Sequence, residues 1–116
     1  MKLNKKNRVE VLVVGSDEFF LLFDNDDRSH RFVKDLKSIF PSLYLFCPKV
    51  VIIEYDHFKD IVNYYLMRIR ANKYYYRLKV YCCLKEPNEI TIEHLKLLRT
   101  RAIVTHELVE KRQRLY

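Results

Sequence analysis

The sequence is poor in glycine, proline and cysteine, and it has no tryptophan. Its 116 residues include one glycine, three prolines and three cysteines, while 49% are hydrophobic and 32% are charged. This balance is typical of a folded domain with an apolar core and not of a disordered chain. A chain of this length usually forms one domain, so we assign residues 9–116 to a single domain and expect a flexible basic N-terminus over residues 1–8.

Long apolar runs are also lacking, since none approaches the roughly 20 residues that a membrane span requires. Lys2, Lys5 and Lys6 are not followed by the apolar segment of a signal peptide. The three cysteines are an odd number, and the adjacent Cys82 and Cys83 are poorly placed to form a disulfide with each other. We therefore expect a reduced cytoplasmic protein without membrane contact.

Positive charge is concentrated in the second half of the chain. Residues 1–60 hold ten basic and ten acidic side chains, whereas residues 61–116 hold twelve basic and five acidic ones, which places the whole net charge of +7 there. Such asymmetry indicates an acidic partner, which could be nucleic acid, a membrane surface or another protein. A solubilising surface is the alternative interpretation.

Short apolar runs alternate with amphipathic segments along the chain. The predicted buried strands are Val9 to Val14, Val50 to Ile53, Leu78 to Leu84 and Ala102 to Val104. The predicted helices are Ser29 to Phe40 followed by Pro41, a long helix from an Asp56 N-cap to about Ala71, one opened by Asn88 or Thr91, and one from Glu107 to about Arg114 capped by Thr105. Leu43 to Phe46 is a candidate short strand, and Phe19 to Phe23 is left open as strand or helix.

Alternation of this kind predicts βαβ units and a mainly parallel sheet in a small three-layer α/β sandwich. In such sheets a ligand crevice lies beyond the carboxyl ends of the strands. The candidate crevice residues are Gly15, Ser16, Asp17, Glu54, Cys83, Thr105 and His106.

The order of these segments, with Glu54 closing the strand VVII, resembles the receiver domains of bacterial two-component response regulators over residues 9–114, with a flavodoxin-like topology. The resemblance implies an acidic pair after the first strand, a phosphoacceptor aspartate, a hydroxyl residue and a lysine after later strands. In this sequence Gly15 and Ser16 occupy the positions of the acidic pair, and Asp17 follows one residue later. Glu54 stands at the phosphoacceptor, Cys83 or Leu84 at the hydroxyl residue, and His106, after Thr105, at the lysine.

These departures predict a degenerate pseudo-receiver without phosphotransfer, because Mg²⁺ requires several oxygen ligands. Glu54 could imitate a phosphorylated aspartate or be an ordinary solvated residue. The interval from Gly15 to Glu54 is short for a receiver domain, and it leaves no room for the helix that normally lies between the second and third strands of that family. The resemblance implies a regulatory module that acts by protein contact, without enzymatic activity, through the face from Asn88 to Arg114. Apolar contacts in a homodimer are expected from Leu97, Leu98, Leu108 and Tyr116.

Two further interpretations remain open. Basic and aromatic residues are densest between Arg68 and Lys79. This segment predicts an alternative function as a small nucleic-acid-binding domain, or a surface for another acidic partner. Its candidate residues are Arg68, Arg70, Lys73, Tyr75, Arg77 and Lys79. A hydrolase with a site at Asp17, Glu54 and Cys83 is the weaker alternative. The histidines and cysteines show no zinc-binding spacing, so no metal or cofactor is expected.

Overall fold

The sheet is formed by five strands in a computed structural model that describes residues 9–24 and 26–108. The strands are β1 (Val11–Val14), β2 (His30–Val33), β3 (Val50–Glu54), β4 (Lys79–Leu84) and β5 (Arg101–Val104). All neighbouring strands are parallel, in the order β2-β1-β3-β4-β5. This is the flavodoxin-like order, so the predicted parallel α/β fold is confirmed.

Continuous apolar runs explain the central strands, because both faces of a parallel sheet are covered. Every residue of β1 is buried, as are the first four residues of β3 and the last five of β4. The four strands predicted from these runs are confirmed with small shifts at their ends. Glu54 is the one charged residue in β3, and it marks the point where that strand leaves the core.

Helices cover the sheet on both faces. The helices are α1 (Asp17–Phe20), α2 (Ile39–Phe46), α3 (Tyr55–Phe58), α4 (Ile61–Ala71) and α5 (Glu89–Leu97), with 3-10 turns at Leu21–Phe23, Leu36–Ser38 and Lys73–Tyr75. One core joins the sheet to α2, α4 and α5 through residues such as Ile39, Leu66 and Leu95. The other joins it to α1 and to the helical residues 105–108 through Phe19 and Leu108. The three layers of the predicted sandwich are therefore present.

The predicted helix from Ser29 to Phe40 is wrong. His30–Val33 is instead the edge strand β2, which pairs with β1, and its side chains are only partly covered. The predicted strand from Leu43 to Phe46 is also wrong, because this segment lies in α2. Pro41 is the third residue of α2, where a missing N–H removes no intrahelical hydrogen bond. A helix therefore does connect the second and third strands, contrary to our expectation.

Three other expectations are settled or corrected. Phe19 to Phe23 is helical, as α1 and a 3-10 turn. The single helix predicted from Asp56 is interrupted at Lys59, whose φ of 59° separates α3 from α4. Asp56 lies inside the first turn of α3 and is not its N-cap. Thr105 is itself helical, and its hydroxyl donates to the Leu84 carbonyl oxygen at 3.1 Å.

Two predictions concern residues outside the described part of the chain, namely the flexible N-terminus over residues 1–8 and the last helix beyond residue 108. Within residues 9–24 and 26–108, no helix combines the length and the apolar character that crossing a membrane requires.

Candidate functional site

The carboxyl ends of the strands form one edge of the sheet, which we call the carboxyl edge. Strand register pairs Val14 with Ile53 and Glu54 with Cys83, so Gly15 follows β1 beside Glu54. A cleft of about 520 Å³ opens at this edge, lined by Ser16, Asp17, Glu18, Glu54, Asp56, His57 and Lys85. Three of the predicted crevice residues, Ser16, Asp17 and Glu54, therefore come together.

The Glu54 carboxylate is turned toward the loop after β1. Its Oε1 accepts a hydrogen bond from the Ser16 backbone N–H at 2.8 Å. A Cβ at Gly15 would lie 2.9 Å from both Oε1 and Cβ of Glu54, and 2.8 Å from Phe19 Cδ2. Real Cβ atoms do not approach neighbours so closely, so position 15 is restricted to glycine by the glutamate and the phenylalanine beside it.

Ser16 and Asp17 belong to the start of α1. The Ser16 hydroxyl accepts a hydrogen bond from Phe19 N–H at 3.3 Å, which makes Ser16 the N-cap. The Asp17 carboxylate lies 3.0 Å from Lys34 Nζ, and both side chains are well exposed. Asp17 therefore faces solvent and Lys34, which follows β2.

Asp56 contributes to the cleft in a way that the sequence did not indicate. Its Oδ2 accepts a hydrogen bond from the Lys85 backbone N–H at 2.5 Å. This bond links the segments that follow β3 and β4, so the two loops hold each other in place. Lys85 follows a predicted strand end that borders the expected crevice, but it was not among the candidate site residues.

Cys83, Thr105 and His106 are not brought into the cleft. Cys83 is fully buried in the core beneath α1, and burial raises the pKa of its thiol well above the ordinary value. His106 is exposed, while Thr105 donates its hydroxyl to a backbone carbonyl. A buried thiol that resists ionisation is a poor nucleophile, so the geometry does not favour the hydrolase interpretation.

Acidic residues elsewhere are also separated from the cleft. Asp26 precedes β2 at the opposite edge of the sheet, where its carboxylate lies 3.1 Å from Arg28 NH1 and 3.5 Å from His30 Nε2. Its side chain is almost wholly buried. In the part of the chain that the structure describes, no three His, Cys, Asp or Glu side chains converge as a metal site.

The predicted basic and aromatic segment divides into three parts. Arg68 lies on α4, with its guanidinium 4.6 Å from the Phe40 ring centroid. Arg70 and Tyr75 are partly buried, and Arg70 donates to several backbone carbonyls. Lys73, Arg77 and Lys79 are exposed before or at the start of β4. The segment is therefore not one continuous surface.

Comparison with known proteins adds no relative: no family model matches this sequence, and no curated protein matches it significantly.

Proposed function

We propose that this protein is a receiver-like regulatory module that does not accept phosphate and that acts by binding another protein chain. The orientation of the Glu54 carboxylate is the observation that supports the absence of phosphate acceptance. It occupies the position of the phosphoacceptor in the resemblance, yet its Oε1 is used by the Ser16 N–H at 2.8 Å. A carboxylate held in this way, beside a glycine, leaves little room for an incoming phosphoryl group.

The surroundings of Glu54 support the same proposal. Phosphoryl transfer needs Mg²⁺ or several cations to neutralise the transferred charge, and Mg²⁺ is bound through carboxylates and water in octahedral geometry. The close approach at Gly15 excludes a carboxylate from that position. Asp17 is paired with Lys34, and Asp56 accepts the Lys85 N–H. The acids of the carboxyl edge are therefore engaged separately.

Two exposed apolar side chains on α5 support binding through protein contact. Ile90 and Leu97 lie two turns apart on this helix and are 84% and 82% exposed. They flank a shallow depression that is also lined by Glu89, Glu93 and His94. Large apolar side chains so fully exposed on one face of a helix are typical of an interaction surface.

The charges on α5 indicate that the partner is a second copy of the chain. Glu89 begins the helix and Glu93 lies at its centre, while Lys96, which forms an ion pair with Glu93 of the same helix at 3.1 Å, lies near its end. Antiparallel packing of two α5 helices around a two-fold axis would bring Ile90 of one copy near Leu97 of the other, with acids opposite bases. Such an isologous contact would place the same two apolar residues of each copy against each other.

The residues expected to supply apolar contacts differ in their availability. Leu97 is exposed, whereas Leu98 is partly buried against the core and Leu108 is completely buried. Tyr116 lies outside the described residues. The proposed contact surface therefore consists of the outer face of α5, with Ile90 in place of Leu98 and Leu108.

Light scattering on wild-type protein and on Leu97→Glu tests the proposal. We expect a dimer for the wild type at high concentration and at least about ten-fold weaker association for the variant, because a buried apolar contact would be replaced by a charge. Leu45→Glu on α2 is the matched control, since Leu45 is 48% exposed on a different helix. A strictly monomeric wild type, or a dimer that Leu97→Glu leaves unchanged, would overturn the proposed contact.

A further inference from the structure

A second surface lies at the opposite edge of the sheet, where β3, β4 and β5 begin. Two depressions of about 420 and 330 Å³ adjoin there and share Leu78 and Lys79 among their lining residues. The exposed basic side chains that line them are Lys49, Arg77, Lys79, Arg99 and Arg101. We call these five residues, together with Tyr74 and Tyr76, the amino-edge surface.

Strand register places these cations side by side although they come from three separate parts of the sequence. Lys79 N–H donates to the Lys49 carbonyl oxygen at 3.2 Å, and Arg101 pairs with Tyr81 two residues along β4. Neighbouring strands are about 5 Å apart, so the cations extend over roughly 10 Å across β3, β4 and β5.

Acidic side chains are lacking on this surface. None of the residues lining the two depressions is Asp or Glu, whereas the cleft at the carboxyl edge contains four such residues. Within residues 9–24 and 26–108, none of the five amino-edge cations forms a salt bridge. Glu10 directly precedes β1, and its carbonyl oxygen accepts a hydrogen bond from the Lys49 N–H at 3.0 Å, but it does not line either depression. Among the described residues, no acidic side chain lining the two depressions compensates this positive charge.

Arg70 holds this surface in a fixed shape. Its guanidinium donates to the carbonyl oxygens of Leu78 at 3.0 Å and Arg99 at 2.7 Å, and its Nε donates to that of Leu98 at 3.0 Å. Burial lowers the pKa of Arg70, and the nearby positive charge of Arg99 lowers it further. The Arg70 side chain thus joins the loop before β4 to the loop before β5, and the exposed cations are supported by this link.

Exposed aromatic rings accompany the cations. Tyr74 and Tyr76 are 83% and 68% exposed. The Arg99 guanidinium lies 5.2 Å from the Tyr76 ring centroid, and Lys73 Nζ lies 5.8 Å from that of Tyr74. Cations that neutralise phosphates beside rings that stack on bases are the combination found in proteins that bind single-stranded nucleic acids.

We propose that the amino-edge surface binds single-stranded nucleic acid, with its lysines and arginines contacting phosphates and Tyr74 and Tyr76 stacking on bases. Reading duplex DNA in the major groove usually requires a projecting helix or a two-stranded ribbon. This surface is built from strand ends and loops, which favours an unpaired strand. It lies at the opposite sheet edge from Glu54, so the proposal is independent of the receiver-like function.

Fluorescence anisotropy of labelled single-stranded DNA and RNA oligonucleotides tests the proposal over a series of salt concentrations. We expect binding that weakens linearly on a log–log plot against salt, as counterion release requires. Lys79→Ala should weaken binding to all sequences and reduce the magnitude of that slope by about one. Lys85→Ala is the matched control, because it removes the same charge from the opposite end of β4 and should leave affinity almost unchanged.

The aromatic part of the proposal has its own test. Tyr76→Leu should lower affinity about five-fold or more without changing the salt slope, since stacking is not electrostatic. Thermal unfolding of each variant confirms that it is folded. Absence of binding at low salt, or equal losses for Lys79→Ala and Lys85→Ala, would overturn the proposed site. Equal competition by inorganic polyphosphate or by vesicles of phosphatidylserine, with no effect of Tyr76→Leu, would overturn its assignment to nucleic acid.

Discussion

Replacing the single glycine, Gly15, by alanine tests the close packing at the carboxyl edge. The new Cβ would lie 2.8 Å from Phe19 Cδ2 and 2.9 Å from the Glu54 Cβ. Phe19 is only 3% exposed, so its ring has little freedom to move away. Overpacking of this kind destabilises by about 1–3 kcal/mol. With an unfolding entropy of about 2 cal/mol/K per residue, the melting temperature of a chain this long should fall by about 4–12 °C.

The sign of the change is what makes the experiment decisive. Gly15 does not have a positive φ, so alanine at an open position would raise stability by about 0.4–1 kcal/mol by restricting the unfolded chain. Urea unfolding followed by circular dichroism measures the difference. A Gly15→Ala variant as stable as the wild type, or more stable, would refute the packing described.

Three further predictions concern Arg70 and the cysteines. Arg70→Ala should lower the free energy of unfolding by about 1.5–3 kcal/mol in urea titrations, because four backbone carbonyl oxygens lose a charged donor. Arg68→Ala, which removes an exposed side chain, should cost only about 0.5–1 kcal/mol. Equal losses would contradict the role of Arg70 in linking the two loops. Ellman's reagent should react with Cys47 in the native protein and with all three thiols only after unfolding, because Cys82 and Cys83 are completely buried. Three reactive thiols in the native state would contradict the burial of these two cysteines. Burial also raises the pKa of both buried thiols, so their protons are lost first in the unfolded chain, and the free energy of unfolding should fall as the pH rises above about 8.5. A Cys82→Ala variant should show a shallower fall. A flat pH profile in the wild type would contradict the burial of these thiols.

The central sheet could be predicted from the sequence because its strands carry their own signal. VEVLVV, VVII and LKVYCCL are short apolar runs with few alternatives, and Asn88 does cap α5, accepting the Thr91 N–H at 3.1 Å. β2 could not be predicted in this way. Its four residues, HRFV, lie at the edge of the sheet, and their strand character depends on pairing with β1, which is set by the rest of the fold.

The candidate site was predictable in location but not in its contacts. Rules for parallel sheets placed Ser16, Asp17 and Glu54 at one edge, and the structure brings them together. The hydrogen bond between Asp56 and Lys85 joins residues 29 positions apart, and nothing in the local pattern around either one indicates it. The amino-edge surface was missed in part for the same reason, since Lys49, Arg99 and Arg101 come from segments that meet only through strand register.

The most direct measurement on the proposed function is intact-mass spectrometry of the protein after incubation with acetyl phosphate and Mg²⁺. The Glu54 carboxylate accepts a hydrogen bond from the Ser16 N–H, and no carboxylate side chain fits at position 15. We therefore predict a mass unchanged from that of the untreated protein. An added phosphoryl group on Glu54 or Asp56, released by hydroxylamine as acyl phosphates are, would contradict the proposal that the module acts without phosphotransfer.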